Sequence, residues 1–131
     1  MSNGARILVV DDERSMREFL EIFLQREGYE VITAGDVASG RLALKSDEFD
    51  VLISDIQMPD GSGLDLLRVA QEHSPETLVV MITAYASTET ALAAMKLGAY
   101  DYITKPFQVD AVRLAVEKAL EKKLLFSENR R

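Results

Sequence analysis

Four short, mostly apolar runs in this sequence each end in residues that could bind a metal ion or a phosphoryl group. The residues that directly follow or end these runs are Asp11 and Asp12, Asp55, Thr83, and Lys105. Three carboxylates in one cleft would repel one another unless a cation joined them. Mg²⁺ fits such a set, because this hard ion accepts one or two carboxylates and shares phosphate oxygens. The residue types therefore predict a Mg²⁺-dependent phosphoryl-transfer site.

Within such a site, Asp55 would be the nucleophile. A carboxylate that attacks phosphorus forms an aspartyl phosphate, which is an established form of covalent catalysis. Lys105 would supply a positive charge, and Thr83 would supply a hydroxyl donor to a phosphoryl oxygen. Phosphoryl transfer needs mainly positioning and charge stabilisation, so these few groups would be sufficient.

Each of these residues also has an ordinary structural interpretation. Asp11 and Asp12 precede a predicted helix, where Asp is favoured for capping and for the helix dipole. Asp55 could open the turn that the following Pro and Gly residues close. Thr83 could simply end a strand, and Lys105 could be a solvated surface charge. We favour the functional interpretation because all of these residues fall at the ends of successive apolar runs.

The elements that must position these residues alternate along the chain. Short continuous apolar runs are typical of strands that are buried on both faces of a parallel sheet. The predicted strands are residues 6–10, 30–34, 51–54, 78–82 and 100–103. Helical patterns separate them, including residues 37–45, 87–97 and a last helix from Val109 onward. This alternation predicts an α/β fold with a doubly wound parallel sheet and helices on both faces. Ligands bind at the carboxyl ends of the strands in such sheets.

Composition excludes several other classes of protein. The chain has 131 residues, no cysteine and a single histidine, so disulfides, zinc-thiolate sites and histidine-rich metal sites are excluded. A formal net charge of -7 argues against direct nucleic acid binding by this chain. No apolar run approaches the length of a membrane span, and the first residues lack the apolar stretch of a signal peptide. We therefore expect a cytoplasmic protein without a membrane segment.

The ordered set of motifs resembles the receiver domain of two-component response regulators. It comprises Asp11-Asp12, Asp55 with the Met-Pro-Asp-Gly of residues 58–61, Thr83-Ala84 and Lys105-Pro106. The match runs from Ile7 to about Leu120. It implies a flavodoxin-like, five-stranded sheet with strand order 2-1-3-4-5. It also implies that Asp55 accepts a phosphoryl group from a sensor histidine kinase, with Mg²⁺ as the cofactor.

The resemblance also implies particular roles at the metal site. Asp12 would be a direct ligand of Mg²⁺, whereas Asp11 would act largely through water. The backbone carbonyl of Gln57 would be a further ligand, beside Asp55 itself.

A second group of residues would form the switch. Thr83 and Tyr102 match the hydroxyl and aromatic residues of the family's switch pair. The peptide bond between Lys105 and Pro106 would be cis, so that the lysine points into the site. Phosphorylation would then change a surface formed by the fourth helix, the fifth strand and the last helix.

A finer resemblance is to the receivers of NtrC-type transcriptional activators, and it rests on residues 98–107 and the long final helix. In those proteins an ATPase domain and a DNA-binding domain follow the receiver. We therefore expect residues 1–121 to form a receiver domain. Residues 122–131 would extend the last helix and begin a linker to output domains. A single-domain regulator that acts on a protein partner is the alternative.

The last helix also contains apolar residues at a 3-4-3-4-3 spacing, which is typical of a coiled-coil seam. The positions are Val109, Val112, Val116, Ala119, Lys123 and Phe126. We expect this helix to pair with a second copy of the chain in a homodimer. A solvated, frayed helix end is the alternative.

Two other functions use related chemistry. A Mg²⁺-dependent phosphohydrolase of the haloacid-dehalogenase type also has an aspartyl nucleophile, but it carries a second Asp two positions later, where this chain has Gln57. A flavodoxin-like FMN carrier would need a hydroxyl- and Gly-rich phosphate loop after the first strand, where Asp11 and Asp12 would repel phosphate. Multiple turnover of a phosphate ester would indicate the hydrolase, and a yellow protein the flavin carrier.

Overall fold

The architecture comes from a computed structural model that describes residues 4–84 and 86–129, with side chains of the last helix described as far as residue 124. The strands are β1 (Arg6–Val10), β2 (Glu30–Ala34), β3 (Val51–Asp55), β4 (Gln57–Met58), β5 (Gly61–Ser62), β6 (Leu78–Thr83) and β7 (Asp101–Thr104). The helices are α1 (Arg14–Arg26), α2 (Val37–Ser46), α3 (Gly63–His73), α4 (Thr88–Lys96) and α5 (Val109–Asn129). The predicted and observed bounds of the strands agree to within a residue.

Five strands form one parallel sheet in the order β2-β1-β3-β6-β7. Since β6 and β7 are the fourth and fifth strands of this sheet along the chain, the order is the predicted 2-1-3-4-5. The prediction missed β4 and β5, which form a small antiparallel hairpin between β3 and α3. Two-residue strands are too short to produce a periodic pattern in the sequence.

Alternate residues of each strand face opposite sides of the sheet and enter two separate cores. Leu8 and Leu52 face one side, where they pack with residues of α2, α3 and α4. Ile7 and Ile53 face the other side, where they pack with residues of α1 and α5. Burial on both faces explains why these strands appear in the sequence as continuous apolar runs.

The coiled-coil prediction for α5 was wrong at Val112, Val116 and Ala119. Val112, Val116 and Ala119 are at most 1% exposed, and they pack against the sheet and α1 within the same chain. A helix that lies on a sheet needs the same 3-4 spacing of apolar residues as a helix that pairs with another helix. Lys123 lies on this side as well, because its Nζ donates to Asp50 Oδ1 at 2.8 Å. The side chain of Phe126 lies outside the described residues.

None of the helices in the described part of the chain is long and apolar enough to cross a membrane.

The loop after β3 is tied closely to the neighbouring helices. The carboxylate of Asp60 accepts hydrogen bonds from the backbone N–H groups of Val37 and Ala38, at 2.9 and 3.0 Å. These bonds satisfy donors in the first turn of α2 and hold the pKa of Asp60 below its usual value. Gly63, the first residue of α3, lies so close to β3 that a Cβ atom there would be 1.9 Å from the Asp55 carbonyl oxygen.

Replacement of Gly63 by alanine should therefore disturb the end of β3. The added methyl group would meet backbone atoms, which cannot rotate away, so we expect a loss of about 1–3 kcal/mol in the free energy of unfolding. Denaturant titration would measure this loss.

Gly40→Ala is the matched control, because the Cβ atom there would meet only the side-chain methyl groups of Leu66 and Val10, at 3.0 and 3.1 Å. These side chains can adjust, so the control should lose less stability. Equal losses for the two variants would contradict the interpretation of Gly63.

Candidate functional site

The candidate site lies at the carboxyl end of the sheet, where four strands deliver the predicted residues. Asp11 directly follows β1, Asp55 ends β3, Thr83 ends β6, and Lys105 directly follows β7. Oxygen atoms from Asp11, Asp12 and Asp55 all lie within 4.8 Å of one another. The sheet thus brings together residues that are up to 94 positions apart in sequence.

Lys105 bridges two of the carboxylates. Its Nζ donates to Asp11 Oδ2 at 2.9 Å and to Asp55 Oδ2 at 3.0 Å. The lysine side chain is only 12% exposed, so the alternative that it is a solvated surface charge is wrong. The peptide bond from Lys105 to Pro106 is cis, the isomer that the resemblance implied.

The ionisation of these groups reflects burial and mutual contact. Burial raises the pKa of Asp11 above its usual value, and the charge on Asp55 acts in the same direction. Hydrogen bonds from the Glu13 backbone and from Lys105 lower the pKa but offset only part of this effect. Burial alone would lower the pKa of Lys105, yet its bonds to Asp11 and Asp55 outweigh burial and leave the pKa raised. The site therefore holds excess negative charge that a cation would offset.

A cleft of about 400 Å³ opens onto the carboxylates of Asp12 and Asp55. Its lining includes Asp12, Asp55, Gln57, Ala84 and Lys105. Asp12 is exposed to solvent, whereas Asp55 is buried. The donor set consists of carboxylate oxygens with room for water and phosphate oxygens, which is the environment that Mg²⁺ prefers. Asp11, Asp12 and Asp55 fit a magnesium ion, and the Gln57 carbonyl belongs to a residue that lines the same cleft.

The structural interpretations of the aspartates coexist with the functional one. Asp11 Oδ1 accepts a hydrogen bond from the backbone N–H of Glu13 at 2.9 Å, just before α1. Asp55 Oδ1 accepts one from the backbone N–H of Gln57 at 3.3 Å. Each aspartate uses one oxygen in a local turn, and its other oxygen contacts Lys105. The turns orient the two carboxylates toward Lys105.

The two predicted switch residues lie on adjacent strands. Thr83 is fully buried at the end of β6, and Tyr102 is half-buried on β7. The Tyr102 hydroxyl lies 2.9 Å from Oγ1 of Thr90 on α4. Thr90 also forms a reciprocal capping box with Ser87, so the tyrosine contacts the hydrogen-bonded start of that helix.

Sequence reasoning did not identify Thr90, Arg17 or Gly63. Ser87 and Thr90 have the spacing of a capping box, which could have located the start of α4. Arg17 donates to the Asp11 carbonyl, and Gly63 lies against the Asp55 carbonyl. Contacts with a backbone carbonyl elsewhere in the fold leave no local signal in the sequence.

The sequence matches the response regulator receiver domain family over residues 7–117. The chain therefore belongs to this family, a phosphorylation-controlled class of signalling domain.

Particular relatives agree with this assignment. The chain is 44% identical over 115 residues to the response regulator protein PilR of Pseudomonas aeruginosa. The alignment covers 88% of this chain and 26% of PilR. It is 41% identical over 115 residues to the DNA-binding transcriptional regulator NtrC of Proteus hauseri. That alignment covers 87% of this chain and 24% of NtrC. The chain thus spans about a quarter of the length of these relatives.

A solved structure supports the same fold. The beryllofluoride-activated NtrC4 receiver domain dimer superimposes with a TM-score of 0.85 at 38% identity, and the alignment covers 90% of this chain and 98% of that one. The relatives PilR and NtrC and this neighbour are of the NtrC type, in agreement with the finer resemblance.

The raised pKa of Asp11 leads to a testable pH dependence. The folded protein binds the Asp11 proton more tightly than the unfolded chain, so ionisation of Asp11 costs stability as the pH rises from about 3.8 through the folded-state pKa. Asp11→Asn removes this cost. Without Mg²⁺, the melting temperature of the variant should exceed that of the wild type at pH 7, and the excess should vanish near pH 3.

Thermal unfolding followed by circular dichroism across this pH range would measure the effect. Asp110→Asn is the matched control, since the Asp110 side chain is 84% exposed. The melting temperature of this variant should stay near that of the wild type. A destabilised Asp11→Asn variant at pH 7 would contradict the electrostatic argument.

Proposed function

We propose that this chain is the phosphoacceptor switch of a two-component system and that Asp55 receives the phosphoryl group from a sensor histidine kinase. The observation that carries the proposal is the contact of Lys105 with both Asp11 and Asp55 beside an open cleft. The ammonium group of Lys105 and the three carboxylates, which include the proposed nucleophile Asp55, meet there at one edge of the sheet. Family membership supports the same chemistry.

The reaction would require little movement of protein groups. An oxygen of Asp55 forms a bond to phosphorus while the bond from phosphorus to the imidazole nitrogen of the donor breaks. Lys105 already contacts Asp55 and would pair with the charge on the phosphoryl oxygens. Asp11, Asp12, Asp55 and the Gln57 carbonyl would hold Mg²⁺. When bound, the ion would supply positive charge that offsets the carboxylates and the incoming phosphoryl group.

The alternative functions have less support. Gln57 stands where a haloacid-dehalogenase-type phosphohydrolase carries its second aspartate. Asp11, Asp12 and Glu13 occupy the loop where a flavin carrier would bind phosphate. We infer that the chain catalyses its own phosphorylation and dephosphorylation rather than the turnover of a separate substrate.

The output would be transcription. The relatives include a DNA-binding transcriptional regulator, of whose length the 115 aligned residues are only 24%. We infer that residues 1–121 act as the receiver and that residues 122–131 lead from it toward an ATPase domain and a DNA-binding domain. A single-domain regulator remains the alternative arrangement.

The switch would begin at Thr83. Its hydroxyl would move toward the phosphoryl group on Asp55, and Tyr102 would turn into the vacated space. Because the Tyr102 hydroxyl contacts Thr90, this rotation would alter the start of α4. Phosphorylation would thereby shift the population between two arrangements of the surface formed by α4, β7 and α5.

We infer that this surface binds a second copy of the chain. Exposed apolar side chains are present on both helices that flank β7, namely Leu92 and Met95 on α4 and Leu114 and Leu124 on α5. They lie on the outward faces, unlike the buried seam residues of α5. The NtrC4 receiver domain is a dimer in its beryllofluoride-activated form, which supports the same assembly here.

Phosphorylation should depend on Asp55 and on Mg²⁺. Incubation with acetyl phosphate and Mg²⁺ should add the mass of one phosphoryl group to the wild type, as measured by intact mass spectrometry. Asp55→Asn should gain no mass because it lacks the nucleophilic oxygen.

Asp60→Asn is the control, since Asp60 lies in the same loop but points to the start of α2. This variant should still be phosphorylated. Labelling of Asp55→Asn at the wild-type level, or labelling that persists in excess chelator, would refute the assignment.

The switch and the dimer can be tested together. On phosphorylation, wild type should dimerise in sedimentation experiments, and amide exchange should change in α4 and β7. Thr83→Ala should accept the phosphoryl group yet remain monomeric, since it cannot draw Tyr102 inward. Leu92→Asp should be phosphorylated and show the exchange change, but it should not dimerise because it places a charge in the interface.

Leu42→Asp provides a control with another exposed leucine, on α2, and it should dimerise like the wild type. A wild type that stays monomeric at high concentration with phosphate bound would exclude the dimer. Unchanged exchange in α4 would exclude the proposed route through Tyr102.

A further inference from the structure

Arg17 reaches from the first turns of α1 back to the loop that carries Asp11 and Asp12. Its Nη1 donates to the backbone carbonyl oxygen of Asp11 at 2.7 Å. The guanidinium group is partly buried in this contact. Arg17 therefore contacts the site through the backbone of Asp11 and not through a carboxylate.

This contact completes the constraints on Asp11. The backbone N–H of Asp11 donates to the Ala34 carbonyl at 3.2 Å. Its two carboxylate oxygens accept from the Glu13 N–H and from Lys105 Nζ, both at 2.9 Å. The hydrogen bond from Arg17 adds the carbonyl oxygen, so the backbone and side chain of Asp11 are held on four sides.

The Asp11 carbonyl is also part of the peptide unit that leads into Asp12. A peptide unit is planar, so the orientation of its carbonyl determines the positions of the next nitrogen and Cα atom. Arg17 therefore sets where the Asp12 side chain begins. Since Asp12 is exposed to solvent, it depends on its backbone to keep its carboxylate near Asp11 and Asp55.

Gly35 leaves the space that the guanidinium group occupies. A Cβ atom at Gly35 would lie 3.1 Å from Arg17 Nη1 and 3.5 Å from Cζ. The backbone of Gly35 does not adopt a positive φ, so alanine could take up the same conformation. The main consequence of Gly35→Ala would thus be a push on Arg17, which supplies a second way to disturb the same contact.

We propose that Arg17 is a positioning residue for the Mg²⁺ site, which holds the peptide between Asp11 and Asp12 so that the Asp12 carboxylate meets those of Asp11 and Asp55. The inference rests on the proposed function, because it assumes that these carboxylates bind Mg²⁺. Arg17 contacts neither the ion nor the phosphoryl group in this role. Its effect is on the affinity of the site, through the position of one ligand.

The direct test is Mg²⁺ binding to the unphosphorylated protein, measured by isothermal titration calorimetry with magnesium chloride. Arg17→Ala should raise the dissociation constant about tenfold, which is typical for loss of a group that orients a metal ligand. Arg14→Ala is the matched control, because that side chain lies on the same helix, is 81% exposed and pairs with Glu18. The control should bind Mg²⁺ like the wild type.

A kinetic readout separates positioning from general damage. In phosphorylation by acetyl phosphate, Arg17→Ala should need a higher Mg²⁺ concentration for half-maximal rate, while the rate at saturating Mg²⁺ stays near that of the wild type. A purely structural role would lower the melting temperature and leave the Mg²⁺ dependence unchanged.

Gly35→Ala should weaken Mg²⁺ binding as well, but less than Arg17→Ala does. In the double variant that carries both Arg17→Ala and Gly35→Ala, the second substitution should weaken Mg²⁺ binding no further, since the guanidinium group that it would displace is absent. If Arg17→Ala does not fold, Gly35→Ala alone still tests the role of Arg17. Its effect on Mg²⁺ affinity should disappear when Arg17 is replaced by lysine, because no guanidinium group then meets the new methyl group.

Three results would overturn the inference in different ways. If wild type binds Mg²⁺ and the folded variants Arg17→Ala and Gly35→Ala bind it with the same affinity, the role of Arg17 is wrong but the proposed function stands. Wild type that binds no Mg²⁺ would overturn the proposed function and the inference with it. Strictly additive effects of the two substitutions would also refute the shared contact.

Discussion

The mutual repulsion of Asp11, Asp12 and Asp55 is the constraint on which the rest of this structure depends. Their oxygens are held within 4.8 Å of one another, and two of the three groups are buried. Lys105 neutralises part of this charge by contacting Asp11 and Asp55 together. We propose that the remaining excess of negative charge favours a cation at the site, so that the repulsion that costs stability in the free protein would help to bind Mg²⁺ for phosphoryl transfer.

Such a site needs a scaffold that does not relax. Each of its residues is attached to the end of a strand whose apolar side chains are packed on both faces of the sheet. Backbone contacts then fix the loops: Asp60 holds the start of α2, Gly63 lies against the Asp55 carbonyl, and Arg17 holds the Asp11 carbonyl. Because close-packed cores resist small displacements, the buried carboxylates of Asp11 and Asp55 cannot readily separate to lower their repulsion. In the proposed switch, the responding parts lie at the rim, where Tyr102 contacts the hydrogen-bonded start of α4.

Much of the fold could be predicted because burial leaves a pattern in the sequence. The strands are continuous apolar runs, and their alternation with helices allows few topologies once right-handed crossovers are required. The same runs located Asp11, Asp55, Thr83 and Lys105, since a residue that follows a buried strand must lie at the rim of the sheet. The small hairpin of β4 and β5 was missed because two residues show no period. The coiled-coil interpretation of α5 failed because its 3-4 spacing describes an apolar face but not the surface that covers it.

The sequence by itself therefore determined which residues stand at strand ends and the family to which the chain belongs, and the family resemblance implied the order of the strands. Only the tertiary structure decided which groups pair. Lys105 contacts Asp11 and Asp55 across 94 and 50 positions, and the hydroxyl groups of Tyr102 and Thr90 meet. Arg17 contacts the Asp11 carbonyl, and Val116 packs in the core rather than against a second chain. The physical reason is that hydrophobic periodicity and turn chemistry act over a few residues, and they specify how exposed each position is. The partner of a buried group depends on distances between elements, and those distances exist only after the sheet has brought distant segments together.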